Sequence, residues 1–477
     1  MLFSSIVFLF YFFPAVFILY YAFSFSRTLQ NVLLLAASLI FYAWGEPVYV
    51  FLMIGSILFN SLMGYLVGKR QGGGMKKCLL WIAVAGNLGV LFVFKYLVFV
   101  LQTIGGFMGM DFSGMELPLP IGISFFTFQA LSYVVDVYRG TTKAENPFYV
   151  GLYISFFPQL IAGPIIQYNA IADQIRNRKS SFDKVAVGLS RFTVGLGKKI
   201  LLSNCFAAIA DNVFQWSAIG TDRVTIPVML AWLGSIAYTL QIYFDFSAYS
   251  DMAIGLGLCF GFKFNENFNY PYIAVSVSDF WKRWHISLTD WFHEYVYFPL
   301  GGSRVKNQDF MVRNMLVVWL LTGIWHGANW TFIFWGLYYF VFLLAERFFE
   351  YPKKIKSPVL KHLYALLVVN TGWVVFRAND LYQAGRYFMN MLGINRNGFY
   401  SDTAVMLIRE NWVFLLLGIV FSTPIARNMN EMLYHKPTSL ANKVYTVLYP
   451  AAMLLLLAVC VSYLASGTYN PFIYFNF

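Results

Sequence analysis

Few residues in this chain of 477 could do chemistry. His326 sits in "GIWHGANW" (323–330), between two strongly apolar stretches. Gly323 and Gly327 allow close backbone approach there, while Trp325 and Trp330 supply bulk around the imidazole. No cysteine or serine accompanies it at a nucleophile's fixed spacing. An imidazole alone suits general-base catalysis on a substrate hydroxyl. A core histidine satisfied by a backbone carbonyl is the alternative.

A second group lies in "DFWKRWHISLTDWFHEYVYFPLGG" (279–302). Phe280, Trp284, Leu288, Trp291 and Tyr295 recur at helical steps, which predicts one helix with an aromatic face. Lys282, His285, Thr289 and His293 line its other side, as in a helix lying on the cytosolic interface. On such a helix His285 and His293 stand about 12 Å apart, so they cannot share a metal ion, and no metal site is expected. In "QIYFDFSAYSDMAIGLGLCFGF" (241–262), Asp245 and Asp251 interrupt an aromatic span. Helix N-capping and a polar lining for a donor tunnel both fit them. The glycines that follow complete no phosphate-binding fingerprint. Finally, "NPFIYFNF" (470–477) carries the phenol of Tyr474. Aromatic rings anchor chains at membrane edges, and a phenol can also carry an acyl group.

The elements that must position these groups are membrane helices. The chain is 59% hydrophobic and 12% charged, with a mean hydropathy of +0.61, whereas soluble domains carry about 25% charged residues. The fold class is all-α polytopic, with about eleven crossings or partial crossings of roughly 20 apolar residues. No stretch suggests a separate soluble domain. The four cysteines lack paired spacing and read as small core residues. The first apolar segment (3–24) reads as a retained helix, having no positive n-region or cleavage site. The net charge of +12 is assigned to loops, where it reports orientation with no nucleic-acid implication. "KRQGGGMKK" (69–77) then faces the cytosol, and counting spans places both termini outside. Segment 151–168, broken by Pro158, Gly163 and Pro164, reads as a re-entrant hairpin. On this count His326 lies towards the outer side and His285 towards the inner side.

Together, "WKRWHISL", "GIWHGANWTFIFWG" and "QIYFDFSAYSDMAIGLG" resemble the membrane-bound O-acyltransferase family, in its bacterial alginate O-acetyltransferase-like and peptidoglycan or polysaccharide O-acetyltransferase branch. "LPIGISFFTFQALSYVVDVYRG" (119–140) and "FPQLIAGPI" (157–165) extend the likeness nearly end to end. The resemblance implies a single transmembrane domain, 1–466, with helices ringed around a thin central funnel and tunnel, and an extracytoplasmic tail, 467–477. It matches His326 to the family's active-site histidine and His285 to its second histidine. Trp325, Asn329, Asp245, Lys282 and Arg283 become donor-tunnel or supporting residues. "FIYFNF" resembles the short terminal motif of the small partner protein in teichoic-acid D-alanylation, which makes Tyr474 a candidate acyl carrier.

The implied function is transfer of an acyl group, acetyl first among them, from a cytosolic thioester across a bacterial plasma membrane to a cell-surface or secreted polysaccharide. The donor is an acyl-coenzyme A or acyl-carrier-protein thioester, with no tightly bound cofactor. The implied partner is an extracytoplasmic, SGNH-hydrolase-like acetyltransferase or another polysaccharide-modifying protein. Alternatives are D-alanyl or other acyl transfer to teichoic acid or protein, and a transporter or flippase without covalent chemistry. The latter is disfavoured by the family motifs and by the lack of an inverted repeat.

Overall fold

The computed structural model describes residues 1–70, 72–112, 114–218, 225–305, 307–434, 440–467 and 469–473. Among these the regular structure is helical, and the protein is an all-α polytopic membrane protein. Tyr474 lies outside the described residues. Among the described residues, eight helices are long and apolar enough to cross a bilayer: Arg27–Gly45, Tyr49–Gly68, Gly74–Met108, Phe182–Ala218, Trp330–Phe349, Pro358–Arg377, Asp402–Phe421 and Asn442–Ala465.

The difference from eleven has a physical origin. The first apolar helix, Phe8–Ala22, is short. Ile123–Arg139, Val228–Cys259 and Gln308–His326 form helices but are not among the eight. The first two carry buried polar groups, including Gln129, Asp136, Gln241 and Asp245. Helices of that kind are sheathed by protein instead of lipid.

The chain forms two compact units, one of residues 1–192, 249–266 and 293–295, the other of residues 193–248, 267–292 and 296–477. In the first unit, Asn60 and Asn87 tie two helices by reciprocal amide bonds, 3.0 and 2.7 Å. Such side-chain pairs satisfy each other where water is scarce. Segment 151–168 forms two short helices, Pro147–Ser155 and Phe157–Leu160, followed by a non-helical run. Residues 150–166 are buried throughout, so the broken backbone expected there is covered by protein, as its unpaired groups require. Tyr153, for example, donates to the Ile166 carbonyl at 2.6 Å.

Three expectations are corrected. Asp245 and Asp251 both lie inside the 32-residue helix Val228–Cys259, so neither is an N-cap. Asp251 instead accepts from Arg191 at 2.9 Å, and Asp245 pairs with Lys199. Arg191 and Lys199, part of the charge assigned to loops, instead lie inside the helix Phe182–Ala218 and pair with carboxylates of Val228–Cys259. Cys78 is exposed, because its helix belongs to Gly74–Met108, whose apolar window is only 17% buried.

In the second unit, the single aromatic-faced helix expected over 279–302 is broken. Val277–Trp281 ends, His285 adopts φ +46°, and a new helix runs Ile286–Phe292. Tertiary bonds compete with the helix there. The Asn269 N–H takes the Arg283 carbonyl at 2.9 Å, and the Asn267 carbonyl takes the Ile286 N–H at 3.0 Å. The Glu346 carboxylate accepts from the N–H groups of Val277 (2.6 Å) and Ser278 (2.9 Å) and from the Ser278 hydroxyl (2.7 Å). It thus caps the first short helix from a distant one.

Candidate active site

His326 is the last residue of the helix Gln308–His326. Asn307 starts that helix by accepting the Asp309 N–H at 3.0 Å. The chain then reverses through Gly327, Ala328 and Asn329, whose side chain accepts the Thr331 N–H at 3.0 Å to open Trp330–Phe349. Asn329 also donates to the Asn379 carbonyl at 2.8 Å, so it fixes the turn. The two helices cross at glycines. A Cβ on Gly323 would meet the Phe332 carbonyl oxygen at 2.4 Å, and one on Gly336 the Trp319 carbonyl oxygen at 2.4 Å. This backbone approach sets the height of the turn, and with it the imidazole. His326 is buried and meets the rings of Trp325, Trp335 and Phe376 edge-on, with centroids at 5.0, 5.0 and 5.2 Å.

His285 lies one indole away. Trp325 stands 6.1 Å from the His285 ring and 5.0 Å from the His326 ring, centroid to centroid. The buried Asn267 holds His285, with Oδ1 3.3 Å from Nδ1. The same oxygen accepts the Ser287 N–H (3.1 Å) and hydroxyl (2.9 Å). A backbone N–H can only donate, so the atom facing Nδ1 is the amide oxygen, and Nδ1 must carry the proton. Nε2 then presents a lone pair, and it has no partner among the described residues. The flanking helices have five and seven residues, too short to span a bilayer. Burial pushes the His285 pKa down to about 3, so the ring is neutral at pH 7 and Nε2 can accept a hydrogen bond.

Of the other expected residues, Trp325 is buried between the imidazoles. Arg283 is tied to Asp279 at 2.9 Å and to the Asn269 carbonyl, while Lys282 is exposed. Asp245 is fully buried against Lys199, 2.5 Å away, and against Ser203 Oγ at 3.3 Å. The pair contacts the segment leading to Tyr474: Lys199 donates to the Pro471 carbonyl, and Asp245 Oδ2 accepts the Ile473 N–H at 2.9 Å. Lys199 and Asn267 were missed from sequence. The signal for Lys199 was Ser203 one helical turn further on, at the head of an apolar run. Asn267 left none. Among the described residues no group of three or more His, Cys, Asp and Glu side chains could hold a metal ion.

Residues 145–351, which include both imidazoles and Asp245, match the profile of the MBOAT, or membrane-bound O-acyltransferase, family. Along its whole length the chain is 38% identical to the whole of a probable alginate O-acetylase, AlgI, of Pseudomonas putida. The chain belongs to the membrane-bound O-acyltransferase family. Another relative, a peptidoglycan O-acetyltransferase of Helicobacter pylori, is 32% identical over all of this chain and 98% of its own. A teichoic acid D-alanyltransferase of Bacillus subtilis is 29% identical over 50% of this chain and 61% of its own length. As a membrane-bound O-acyltransferase, the protein carries its two buried imidazoles and Asp245 inside the matched region.

Proposed function

We propose that this O-acyltransferase moves an acetyl group from a cytosolic thioester, across a bacterial plasma membrane, for O-acetylation of a cell-surface or secreted polysaccharide. The observation that carries this reading is His326, buried on a glycine-packed hairpin, in a chain aligned end to end with O-acetylating relatives. His326 is the general base. It takes the proton of the attacking hydroxyl as that oxygen bonds to the thioester carbonyl carbon. The tetrahedral adduct then expels the thiolate, which takes a proton to leave as thiol. The termini face outward, and an SGNH-hydrolase-like transferase outside the membrane completes delivery.

His285 orients the donor. Its Nε2 lone pair accepts an N–H from the amide-bearing arm shared by coenzyme A and carrier-protein thioesters. Loss of one neutral hydrogen bond of about 1 kcal/mol is expected to raise KM for the thioester roughly fivefold to tenfold in His285→Asn, leaving kcat nearly intact. Asparagine tolerates the left-handed backbone. Steady-state kinetics with acetyl-coenzyme A checks this, and an unchanged KM removes the role.

The attacking hydroxyl is the Tyr474 phenol or one on a partner. A thiol leaves with a pKa near about 8.5 and a phenol near about 10, while an alkoxide is closer to the 15.7 of water. An acetyl-tyrosine ester therefore keeps much of the thioester's transfer potential and passes it downhill to a sugar hydroxyl. Tyr474→Phe keeps the ring and removes only the oxygen. Polysaccharide acetylation is expected to fall by about 10²-fold or more, on the scale of losing a positioned reactive group, with the adduct on residue 474 absent from the mass spectrum. Normal acetylation in this variant would leave Tyr474 an interfacial anchor. D-alanyl transfer is the second reading, favoured by the partial match to the D-alanyltransferase; the adduct mass separates the two acyl groups.

A further inference from the structure

We propose that Lys199 and Asp245 are positioning residues, a buried ion pair that grips the main chain of residues 471–473, the segment leading to Tyr474. The inference rests on the reading of Tyr474 as acyl carrier.

Lys199 is 3% and Asp245 1% exposed at the side chain. A buried pair of this kind is a weak source of stability, since desolvation offsets its attraction. Its geometry points to a second task. Asp245 gives Oδ1 to Lys199 and Ser203 and keeps Oδ2 for the Ile473 N–H, 2.9 Å away. Lys199 donates to Asp245 and also to the Pro471 carbonyl. Anion and cation thus each hold one main-chain group, two residues apart. Because an N–H cannot replace a carbonyl, the two contacts define both the direction of the segment and its register. Neither contact depends on side-chain identity.

The neighbours reinforce the hold. Asn204 donates to the Asn470 side chain at 3.3 Å, and Tyr469 donates to Asp211 at 2.9 Å. The Phe472 ring lies over the Lys199 ammonium, 5.9 Å from nitrogen to centroid, and Phe472 and Ile473 are buried. The grip on Ile473 holds the residue that precedes Tyr474 in the chain.

The test pairs hydrogen–deuterium exchange at the Ile473 amide with acyl-transfer kinetics on purified protein. The double variant Lys199→Met/Asp245→Leu removes both grips and leaves no lone buried charge. It is expected to keep the native thermal midpoint, lose at least tenfold in amide protection, and lose at least tenfold in kcat with donor KM unchanged. Ile473→Pro removes only the gripped N–H and is expected to lower kcat likewise. The charge exchange Lys199→Asp/Asp245→Lys restores the ion pair but faces donor to donor and acceptor to acceptor. It should recover stability over either single variant without recovering kcat, which an ion pair serving structure alone would also recover. Retained amide protection or retained kcat in the double variant overturns the proposal. If Tyr474→Phe transfers normally while protection is still lost, the carrier reading fails and the grip stands. If Tyr474→Phe is inactive and the double variant keeps kcat, the carrier reading stands and the positioning role fails.

Discussion

His326→Ala is expected to lower acetyl transfer by about 10²–10⁴-fold, the usual contribution of a positioned general base. The fall should appear in kcat, because the imidazole acts on the hydroxyl as its oxygen attacks and contributes little to holding the donor. His326 is buried, so the truncation also opens a cavity. Its edge contacts are shared among Trp325, Trp335 and Phe376, and the last two also meet each other. The aromatic cluster therefore keeps the fold, and size-exclusion behaviour in detergent should match the parent. Transfer of labelled acetyl from acetyl-coenzyme A provides the readout. Full transfer in a folded His326→Ala protein would remove the imidazole from the chemistry.

Gly336→Ala should produce the second large effect, although the residue lies ten positions from His326. The added Cβ would sit 2.4 Å from the Trp319 carbonyl oxygen and 3.3 Å from the Gly323 Cα. Both obstacles are backbone, so no rotamer change relieves the clash and the helices must separate. Overpacking of this kind costs about 1–3 kcal/mol, read as a lower thermal midpoint. The same separation moves the turn carrying His326, and a displacement of about 1 Å can cost 10²-fold in rate. A folded Gly336→Ala protein should thus be far slower while its donor KM changes little. Gly385→Ala is the control, because nothing lies within 4 Å of its added Cβ. Equal kinetics in the two variants would show that the glycine crossing does not set the imidazole.

Much of this is legible in the sequence. The glycines around His326 announced close backbone approach, and the structure places Phe332 against both Gly323 and Gly327. The broken run 151–168 announced a covered, irregular segment because Pro158, Gly163 and Pro164 cannot continue a helix. What escaped depends on partners distant in sequence. The periodicity of 279–302 is truly helical, yet Asn267 and Asn269 take the main-chain groups that a continuous helix would use. Lys199 and Arg191 sit in a stretch dense with cations, where local charge alone suggests a wet loop. Only their carboxylate partners, 46 and 60 residues away, show that they belong inside helices. Asp245 and Asp251 resembled caps for the same reason.

The Lys199–Asp245 pair also bears on how the chain enters a bilayer. Taken singly, the helix Phe182–Ala218 would leave Lys199 and Arg191 unmatched, and Val228–Cys259 would leave Asp245 and Asp251 unmatched. Each charge at mid-membrane costs about 2.5–3.5 kcal/mol. The two helices are consecutive in the chain, separated only by residues 219–227, so lysine and aspartate can meet before either is committed to lipid. The fold thus joins the ammonium of the earlier helix to a carboxylate of the later one, and neither charge stays unmatched in the finished protein.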